Sequence, residues 1–404
     1  MFQMENSIDR GAKGSIFSEV WVFLKENITN YVMYIALAII FIFFNITTNG
    51  NFLTARNITN LVNQTGYVAV MAVGMTLVLI VQQIDLSVGY AAGFFGACVA
   101  LLLADKMPPL LAILLILGAG IVAGLIQGLI VSKVGVPAFV TTLAFQFIFR
   151  GMLSLVTEAT GTVPVTNNFF NQISNGFLPP VFLISGKHGL SLVLSAIAII
   201  FLVINQIRNR REMRKYNFSV SSLPVFIFSL ALMSVFIGWI AYMLAGFNGI
   251  SWTILIVIAV TGIYQFLLDK TRLGRYIYGV GGNREAAILA GIDVEKIITF
   301  SFASMGLMAA LGGILFTSRL RSATPSAGAG FELDAIASCY IGGVSTSGGI
   351  GRVVNSIIGA FVMISLTNGL NLMGIGISYQ YIIKGIIFIF AVAFDVYSRG
   401  RKAI

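Results

Sequence analysis

The chain carries very little charge and few of the side chains on which most enzyme chemistry depends. Only 10% of its 404 residues are charged, whereas a soluble domain carries about 25%. It has one histidine, His188, which excludes a histidine-rich metal site and an HExxH protease. Its two cysteines, Cys98 and Cys339, lie in apolar runs and are expected to be packing residues. We therefore expect no metal site and no catalytic residues.

The phosphate-binding sequence G-x-x-x-x-G-K-[ST] is also missing. The one Gly-Lys pair, Gly186-Lys187, is followed by His188. The chain is therefore not expected to hold ATP in the usual loop, and no cofactor of its own is predicted. If its function consumes ATP, a partner must bind the nucleotide.

Long apolar runs are abundant in the chain. Hydrophobic residues make up 57% of it, and the mean hydropathy is +0.93. A membrane-crossing helix needs roughly 20 mainly apolar residues. Such runs are predicted at 31–47, 61–81, 87–104, 110–134, 138–156, 190–207, 222–245, 251–268, 297–316, 333–344, 353–370 and 378–395. The tenth is too short to cross alone, so we predict an all-α, polytopic transmembrane helical bundle with about 10–12 spans.

Positive charge is concentrated on one side of this topology. The cluster from Arg208 to Lys215, the loop 269–296 and the tail 396–404 share a side if the chain starts inside. Short loops rich in Lys and Arg stay in the cytoplasm, so both termini are predicted there. Arg319 and Arg321 fall outside and run against the rule. The net charge of +10 thus reflects topology, and no nucleic-acid partner is expected.

The predicted organisation is one transmembrane domain, residues 31–395. Residues 15–30 place apolar side chains on one face of a helix and charged side chains on the other. This pattern is typical of a helix that lies on a lipid surface. We therefore interpret residues 1–30 as a cytoplasmic N-terminus with an interfacial amphipathic helix.

Two stretches suggest an internal repeat. IDLSVG at 84–89 and FELDAIA at 331–337 each precede a span, the first entered from inside and the second from outside. Spans three to five then correspond to spans ten to twelve in the opposite orientation, an inverted repeat of the kind that transporters use. Within span four, Gly120, Gly124 and Gly128 recur at four-residue spacing, which predicts close packing of helix backbones.

Polar side chains inside the spans are mostly uncharged amides and hydroxyls. In lipid they are costly, so they face the protein interior or a water-filled cavity. Amides both donate and accept hydrogen bonds, which suits an uncharged ligand with many hydroxyls, but any one of them is also explained as a link between helices. The candidates for a translocation pathway are Asn63, Gln64, Gln83, Thr141, Gln146, Asn368 and Asn371.

Three carboxylates lie at the starts of predicted spans. Asp85 begins the third, and Glu332 and Asp334 begin the tenth. A carboxylate is favoured at a helix N-terminus by free N–H groups and by the helix dipole, and we assign all three this structural role. Lys384 lies in the middle of the last span and needs a partner. We expect it to pair with one of these carboxylates.

A polar, basic loop at 268–292 separates two apolar runs. Gly279, Gly281 and Gly282 are expected to break the chain, and Asn283 to cap a helix that starts after it. Residues 284–290 all suit a short helix, which Gly291 would end. From composition alone, an ordinary solvated connector explains the loop equally well.

The loop resembles the cytoplasmic loop of ATP-binding-cassette sugar-importer permeases. The similarity lies in the Gly-Gly-Asn turn, Glu-Ala-Ala and Gly-Ile of residues 281–292. It continues in QQIDLSVG, VGVPAFVTTLAFQFIFRG (134–151), SATP with FELDAIA (322–337) and YQYIIKG (379–385). These segments are most similar to the xylose and multiple-monosaccharide branch of the ribose, galactose and xylose permease family. Compared with shorter relatives, residues 186–250 are an insert of two crossings.

The resemblance implies a bacterial inner-membrane location and a set of partners. These are a cytoplasmic ATPase that binds the ATP, an extracytoplasmic sugar-binding protein, and a second copy of the chain or a related permease. Lipid surrounds the complex. The short cytoplasmic helix would be the coupling helix that docks in the ATPase. The coupling residues are expected to be Gly281, Gly282, Asn283, Arg284, Glu285, Ala286, Ala287 and Gly291.

Two other classes of protein compete with this interpretation. An ion-coupled secondary transporter of a small polar solute also uses inverted repeats and broken helices, but it needs no docking helix. A membrane enzyme would place paired carboxylates or His/Asp clusters at one depth, and the sequence offers no convincing set. Transport of a monosaccharide such as xylose or galactose is the predicted function.

Overall fold

The computed structural model describes residues 28–158, 161–218, 220 and 222–400. Helices follow one another over almost all of this part of the chain. They are α1 (Ile28–Thr47), α2 (Ala55–Ile80), α3 (Val88–Ala104), α4 (Pro109–Leu129), α5 (Ala138–Thr157), α6 (Asn168–Asn175), α7 (Gly189–Lys215), α8 (Leu223–Ala245), α9 (Trp252–Lys270), α10 (Arg272–Gly282), α11 (Arg284–Leu289), α12 (Val294–Leu320), α13 (Phe331–Ile341), α14 (Val353–Leu372) and α15 (Ile377–Gly400). The predicted all-α class is confirmed.

Each predicted span coincides with a helix. Within the described residues, eight helices are long and apolar enough to cross a membrane, and α3 and parts of α1 and α15 are shorter apolar helices. The remaining one, α13, has 11 residues and spans about 16 Å, roughly half of a hydrocarbon core. The expectation that it cannot cross alone is therefore confirmed. The surface helix predicted for residues 15–30 lies outside the described residues, except for 28–30, which begin α1.

Short two-stranded pairs join the helices at one end of the bundle. β1 (Val163–Pro164) pairs antiparallel with β4 (Ser322–Ala323), and β2 (Leu183–Ile184) with β3 (Lys187–His188). The other end of the bundle, which we name the loop end, holds the C-terminus of α2 together with α10 and α11. The strands thus occur only in the segments that connect helices, and the helices form the core.

The centre of the bundle is the pair α2 and α12. In the most apolar 18-residue stretch of α2, 94% of the residues are buried, and the corresponding fraction is 72% in α12. In α7 and α8 only 6% of such residues are buried. The two central helices run antiparallel, because Gly74 contacts Met305 and Gly312 contacts Met71. The pair α7 and α8 is therefore peripheral.

The regularly spaced glycines of α4 lie against α12. A Cβ at Gly120 would come within 2.5 Å of the carbonyl oxygen of Gly306, and one at Gly124 within 2.2 Å of that of Phe302. Contacts this short leave no room for any side chain. The predicted packing role of these glycines is confirmed, and it brings the two backbones together without interlocking side chains.

The short helix α13 runs parallel to α2. The ring of Phe331, at its start, lies 4.9 Å from the ring of Tyr67. Near its end, Cys339 Sγ lies 3.3 Å from the carbonyl oxygen of Ala72. Because Tyr67 and Ala72 follow one another along α2 toward the loop end, α13 also points toward the loop end.

By contrast, α3 runs parallel to α12. A Cβ at Gly313 would meet the carbonyl oxygen of Ala92, and a Cβ at Gly96 would meet Oγ1 of Thr317. The helix α12 points away from the loop end, since it is antiparallel to α2. Helices α3 and α13 therefore run in opposite directions, which agrees with the predicted inverted repeat.

Candidate coupling and translocation sites

The loop between α9 and α12 forms two helices, where the sequence predicted a glycine turn and one helix. The glycines at 279, 281 and 282 lie inside α10, so the predicted chain break is wrong. Thr271 begins α10 by accepting a hydrogen bond from the Gly274 N–H at 3.2 Å. The predicted cap at Asn283 is confirmed, since its Oδ1 accepts from the Ala286 N–H at 2.9 Å.

Gly281 is needed for contact, not for a turn. A Cβ at this position would lie 1.7 Å from the carbonyl oxygen of Ile80, at the end of α2. The Gly349 N–H donates to the same carbonyl at 2.9 Å. Ile80, Gly281 and Gly349 thus form a three-way junction of α2, α10 and the loop after α13.

The side chains of α11 divide into a buried and an exposed set. Ala287 is only 4% exposed and contacts its own chain. Leu289 is 89% exposed and Ile288 is 55% exposed, and Arg284 and Glu285 are exposed beside them. A partner would therefore meet Leu289 and Ile288, which sequence reasoning missed, before it could reach Ala287. The coupling role of the eight predicted residues stays a prediction.

Two ionisable groups near these helices have altered titration. Burial, with a smaller contribution from the charge of Asp269, raises the pKa of Tyr278 above its usual value. Its hydroxyl is thus protonated at neutral pH and donates to the Gly351 carbonyl at 2.7 Å. The hydrogen bond from Lys296 lowers the pKa of Asp293, which begins α12 as its N-terminal cap. The Tyr278 bond joins α10 to the loop after α13, and the Asp293 cap fixes the first turn of α12.

Several of the predicted pathway amides are occupied by bonds between helices. Asn63 accepts a hydrogen bond from the Ser251 hydroxyl, which joins α2 to the start of α9. Asn368 and Asn57 exchange two amide hydrogen bonds, at 2.9 and 3.2 Å, between α14 and α2. Asn371 accepts from Gln380 at 2.7 Å. The packing interpretation of these amides is the better supported one.

The other predicted pathway residues lie on different elements. Gln64 lies on α2, and Gln83 follows that helix with its Nε2 3.4 Å from the carbonyl oxygen of Val81. Thr141 and Gln146 lie on α5, and Gln146 Nε2 is 3.4 Å from Glu332 Oε1. Gln146 thus approaches a buried carboxylate, and the pathway role of the seven residues stays a prediction.

The first turns of α3 and α13 meet inside the bundle. A Cβ at Gly89 would come within 2.1 Å of Glu332 Oε2 and 2.4 Å of the Gly328 carbonyl. Before α3, Asp85 accepts from the Ser87 N–H at 2.8 Å and from its hydroxyl at 2.7 Å. The three carboxylates thus lie at helix starts, as predicted. We name the meeting point of these two helix starts the central crossing.

Lys384 pairs with Asp334 beside the central crossing. Its Nζ lies 2.9 Å from Asp334 Oδ2, and the two side chains are 19% and 6% exposed. The predicted pairing of Lys384 with a carboxylate at a span end is confirmed. Among the described residues, Asp334 Oδ1, Glu332 Oε2 and the Thr141 hydroxyl are buried without a hydrogen-bond partner. The region therefore has hydrogen-bonding capacity that its own chain does not use.

A cavity of about 430 Å³ lies elsewhere, between α1, α14 and α15. Its walls are apolar side chains, among them Phe43, Phe44, Leu366 and Ile383. Such walls suit an acyl chain and offer nothing to a hydroxyl group. In the described part of the chain, no three His, Cys, Asp or Glu side chains are placed to hold a metal ion.

A bundle of membrane-crossing helices, in which the starts of the shorter helices α3 and α13 meet and two further short helices lie at one end, is typical of a transport permease. The family model described as "Branched-chain amino acid transport system / permease component" matches residues 57–392, more than half of the chain. The protein belongs to this family of membrane permeases.

Three relatives match nearly the whole chain. The xylose transport system permease protein XylH of Haemophilus influenzae is 37% identical over 93% of this chain and 98% of the relative. XylH of Escherichia coli K12 is 36% identical over 93% and 94%, and the ribose import permease protein RbsC of the same strain is 32% identical over 94% and 95%. These are permease components, which fits a transport subunit without an enzymatic activity of its own. No solved structure gives a significant match.

Proposed function

We propose that the protein is the membrane subunit of an ATP-driven importer of a monosaccharide, with xylose or a similar sugar as substrate. The names of the relatives support the substrate class. The observation that carries the proposal is α11, which presents Leu289 and Ile288 to solvent at the loop end. An apolar pair exposed between charged residues is expected to be covered by another protein.

In this assembly a separate ATPase subunit binds and hydrolyses ATP at the cytoplasmic face and receives α11 in a groove. Both termini of this chain lie on that face of the inner membrane. A sugar-loaded binding protein docks on the opposite face. A second permease, either another copy or a related chain, completes the pore. No cofactor is bound by this subunit itself.

We place the sugar pathway at the exposed side of the central crossing. Gln146 is half-buried there and lies beside Glu332, and Tyr381 is 50% exposed close to Gly330. An amide, a carboxylate and an aromatic ring are groups that bind sugar hydroxyls and stack on a sugar ring. The paired amides Asn63, Asn368 and Asn371 have less free capacity and are assigned to packing.

The ion-coupled secondary transporter remains the alternative. It would move sugar without a nucleotide-hydrolysing partner, so purified chain in vesicles with an ion gradient separates the two mechanisms. Under our proposal, such vesicles show no sugar uptake until the ATPase and the binding protein are added.

The substitution Leu289→Asp tests the docking surface directly. It places a charge on a side chain that is 89% exposed, so the fold of this chain should be unaffected. We expect the ATPase subunit to be lost on affinity purification and xylose uptake to fall to background. The matched control is Phe247→Asp, since Phe247 is 43% exposed between α8 and α9 at the opposite end. Normal ATPase retention and uptake by Leu289→Asp would refute the docking assignment.

A further inference from the structure

We propose that Gln82 is a positioning residue that links the coupling helices to the central crossing. Its side-chain amide holds α10 and the loop after α13 against the end of α2. The inference rests on the proposed function, because the movement to be transmitted is that of α11 on an ATPase. It adds a particular residue and a physical route to that function.

The geometry of Gln82 is specific. Its Nε2 donates to the Gly281 carbonyl at 2.8 Å and to the Ser347 carbonyl at 2.7 Å. Both N–H groups of one amide are therefore committed to backbone of two segments far away in the sequence. Gln82 has a φ of +60°, a left-handed conformation that a side chain other than glycine rarely adopts. The chain thus accepts some backbone strain at the position where this amide is presented.

The amide completes a contact that backbone atoms begin. Gly348 packs on the side chain of Gln82, since a Cβ at Gly348 would lie only 2.3 Å from Cγ of Gln82. The hydroxyl of Tyr278 donates to the Gly351 carbonyl at 2.7 Å, from the middle of α10 to the same loop. Together with the three-way junction, these bonds make α10 and residues 345–351 move with the end of α2.

The segment after Gln82 leads directly into the bundle. Residues 83–87 are not helical and end at the first turn of α3. On the way, the Ile84 carbonyl lies 3.4 Å from the Thr142 hydroxyl of α5. Asp85 and Ser87 immediately precede α3, whose first turn meets Glu332 at Gly89. Five extended residues span at most about 17 Å, so only a short stretch of chain joins Gln82 to the central crossing and can carry a displacement between them.

Coupling requires that the bonds at Gln82 differ in strength between the states of the pore. Gln82 lies at the surface, where water competes for its amide, so each bond contributes modestly. Coupling energies between two sites typically correspond to factors of about 5 to 150. We expect loss of both bonds to reduce coupled uptake by about tenfold, without loss of folding.

The test uses the complete importer in proteoliposomes, with D-xylose and D-ribose as the sugars. Gln82→Gly removes the amide and keeps a residue that adopts positive φ without strain. Gln82→Asn also tolerates this conformation, but its amide is shorter and cannot reach both carbonyls. The matched control is Thr346→Ala, since Thr346 is exposed on the same loop as Ser347 and Gly348.

The readout is the number of ATP molecules hydrolysed per sugar imported. For Gln82→Gly and Gln82→Asn we expect basal ATP hydrolysis within twofold of the wild type. Its stimulation by the sugar-loaded binding protein should be lost, and uptake should be about tenfold lower. A purely structural role would lower hydrolysis and uptake together, in proportion to the amount of assembled complex, and would overturn the inference. So would wild-type stimulation in both variants.

Failure of the proposed function would be visible in the wild type. If the wild-type chain retains no ATPase on purification, or transports sugar without ATP, the importer assignment fails. If the wild type is stimulated and Thr346→Ala behaves as Gln82→Gly does, only the assignment of Gln82 fails.

Discussion

Removing the ammonium group of Lys384 gives the most direct measure of the energetics inside the bundle. In the variant Lys384→Met, the buried carboxyl group of Asp334 loses its ion-pair partner, because Oδ2 pairs with Lys384 and Oδ1 has no hydrogen bond among the described residues. Breaking a buried pair by removing one member costs about 3 to 5 kcal/mol. With an unfolding entropy of about 2.1 cal/mol/K per residue, this lowers the melting temperature of the 404-residue chain by about 4 to 6 °C.

The assay is thermal unfolding of the purified permease in detergent, monitored by size-exclusion chromatography. The double variant Asp334→Leu with Lys384→Met serves as the matched control, since it removes the charge that the single variant leaves unpaired. Replacing a whole buried pair by apolar residues is often neutral, so the double variant should recover most of the lost stability. The reasoning is refuted if Lys384→Met melts like the wild type, or if the double variant is as unstable as the single one.

Two further substitutions probe helix packing and the sugar pathway. Gly124→Val should prevent assembly of α4 on α12, because even a Cβ would lie 2.2 Å from the Phe302 carbonyl; Gly118→Val, on the same helix with nothing within 4 Å, should express and melt normally. Asn368→Ala should lower the melting temperature, because Asn57 keeps its hydrogen bond to the Phe52 carbonyl but its buried Oδ1 loses the donor from Asn368, at a cost of about 1 to 3 kcal/mol, with uptake per folded molecule unchanged. Gln146→Ala should do the reverse, with a normal melting temperature and several-fold weaker uptake, and equal uptake per folded molecule in both variants would contradict our placement of the pathway.

The spans were predictable because their signal is local. About 20 apolar residues between polar loops define a membrane helix regardless of what surrounds it, and this held for long runs such as α2 and α14. The shortness of α13 was also predictable, since the apolar run itself is short. The pairing of Lys384 was predictable, because an ammonium group in the middle of a span is energetically costly without a counter-charge. Which of three carboxylates it takes was decided by the fold.

The three glycines of α10 show where local signals fail. Three glycines within four residues predict a break, because glycine has the largest backbone freedom and a low helix propensity. In the protein they remain helical, and Gly281 permits contact with Ile80, a residue far earlier in the chain. The exposed pair Ile288 and Leu289 was missed for a related reason. The sequence of so short a helix does not show which of its faces is buried. Only the packing of the folded chain shows that Ala287 is on the buried face.

The polar residues of the bundle divide by a criterion that a sequence does not contain, namely whether a partner is already present. Asn63, Asn368 and Asn371 each accept or exchange bonds with a second helix, so a passing sugar would have to break those bonds. Glu332 is different, because the first turn of α3 has only Gly89 at the contact and leaves one carboxylate oxygen without a bond. The start of α3 covers this oxygen of Glu332 and keeps water away from it. Residues 83–87, which lead into α3, are not helical, so movement of this segment would uncover the oxygen and let it accept a hydrogen bond. The segment begins at Gln82, so a displacement that the coupling helices impose there would change the surroundings of Glu332, whose unbonded oxygen can accept a hydrogen bond from a sugar hydroxyl.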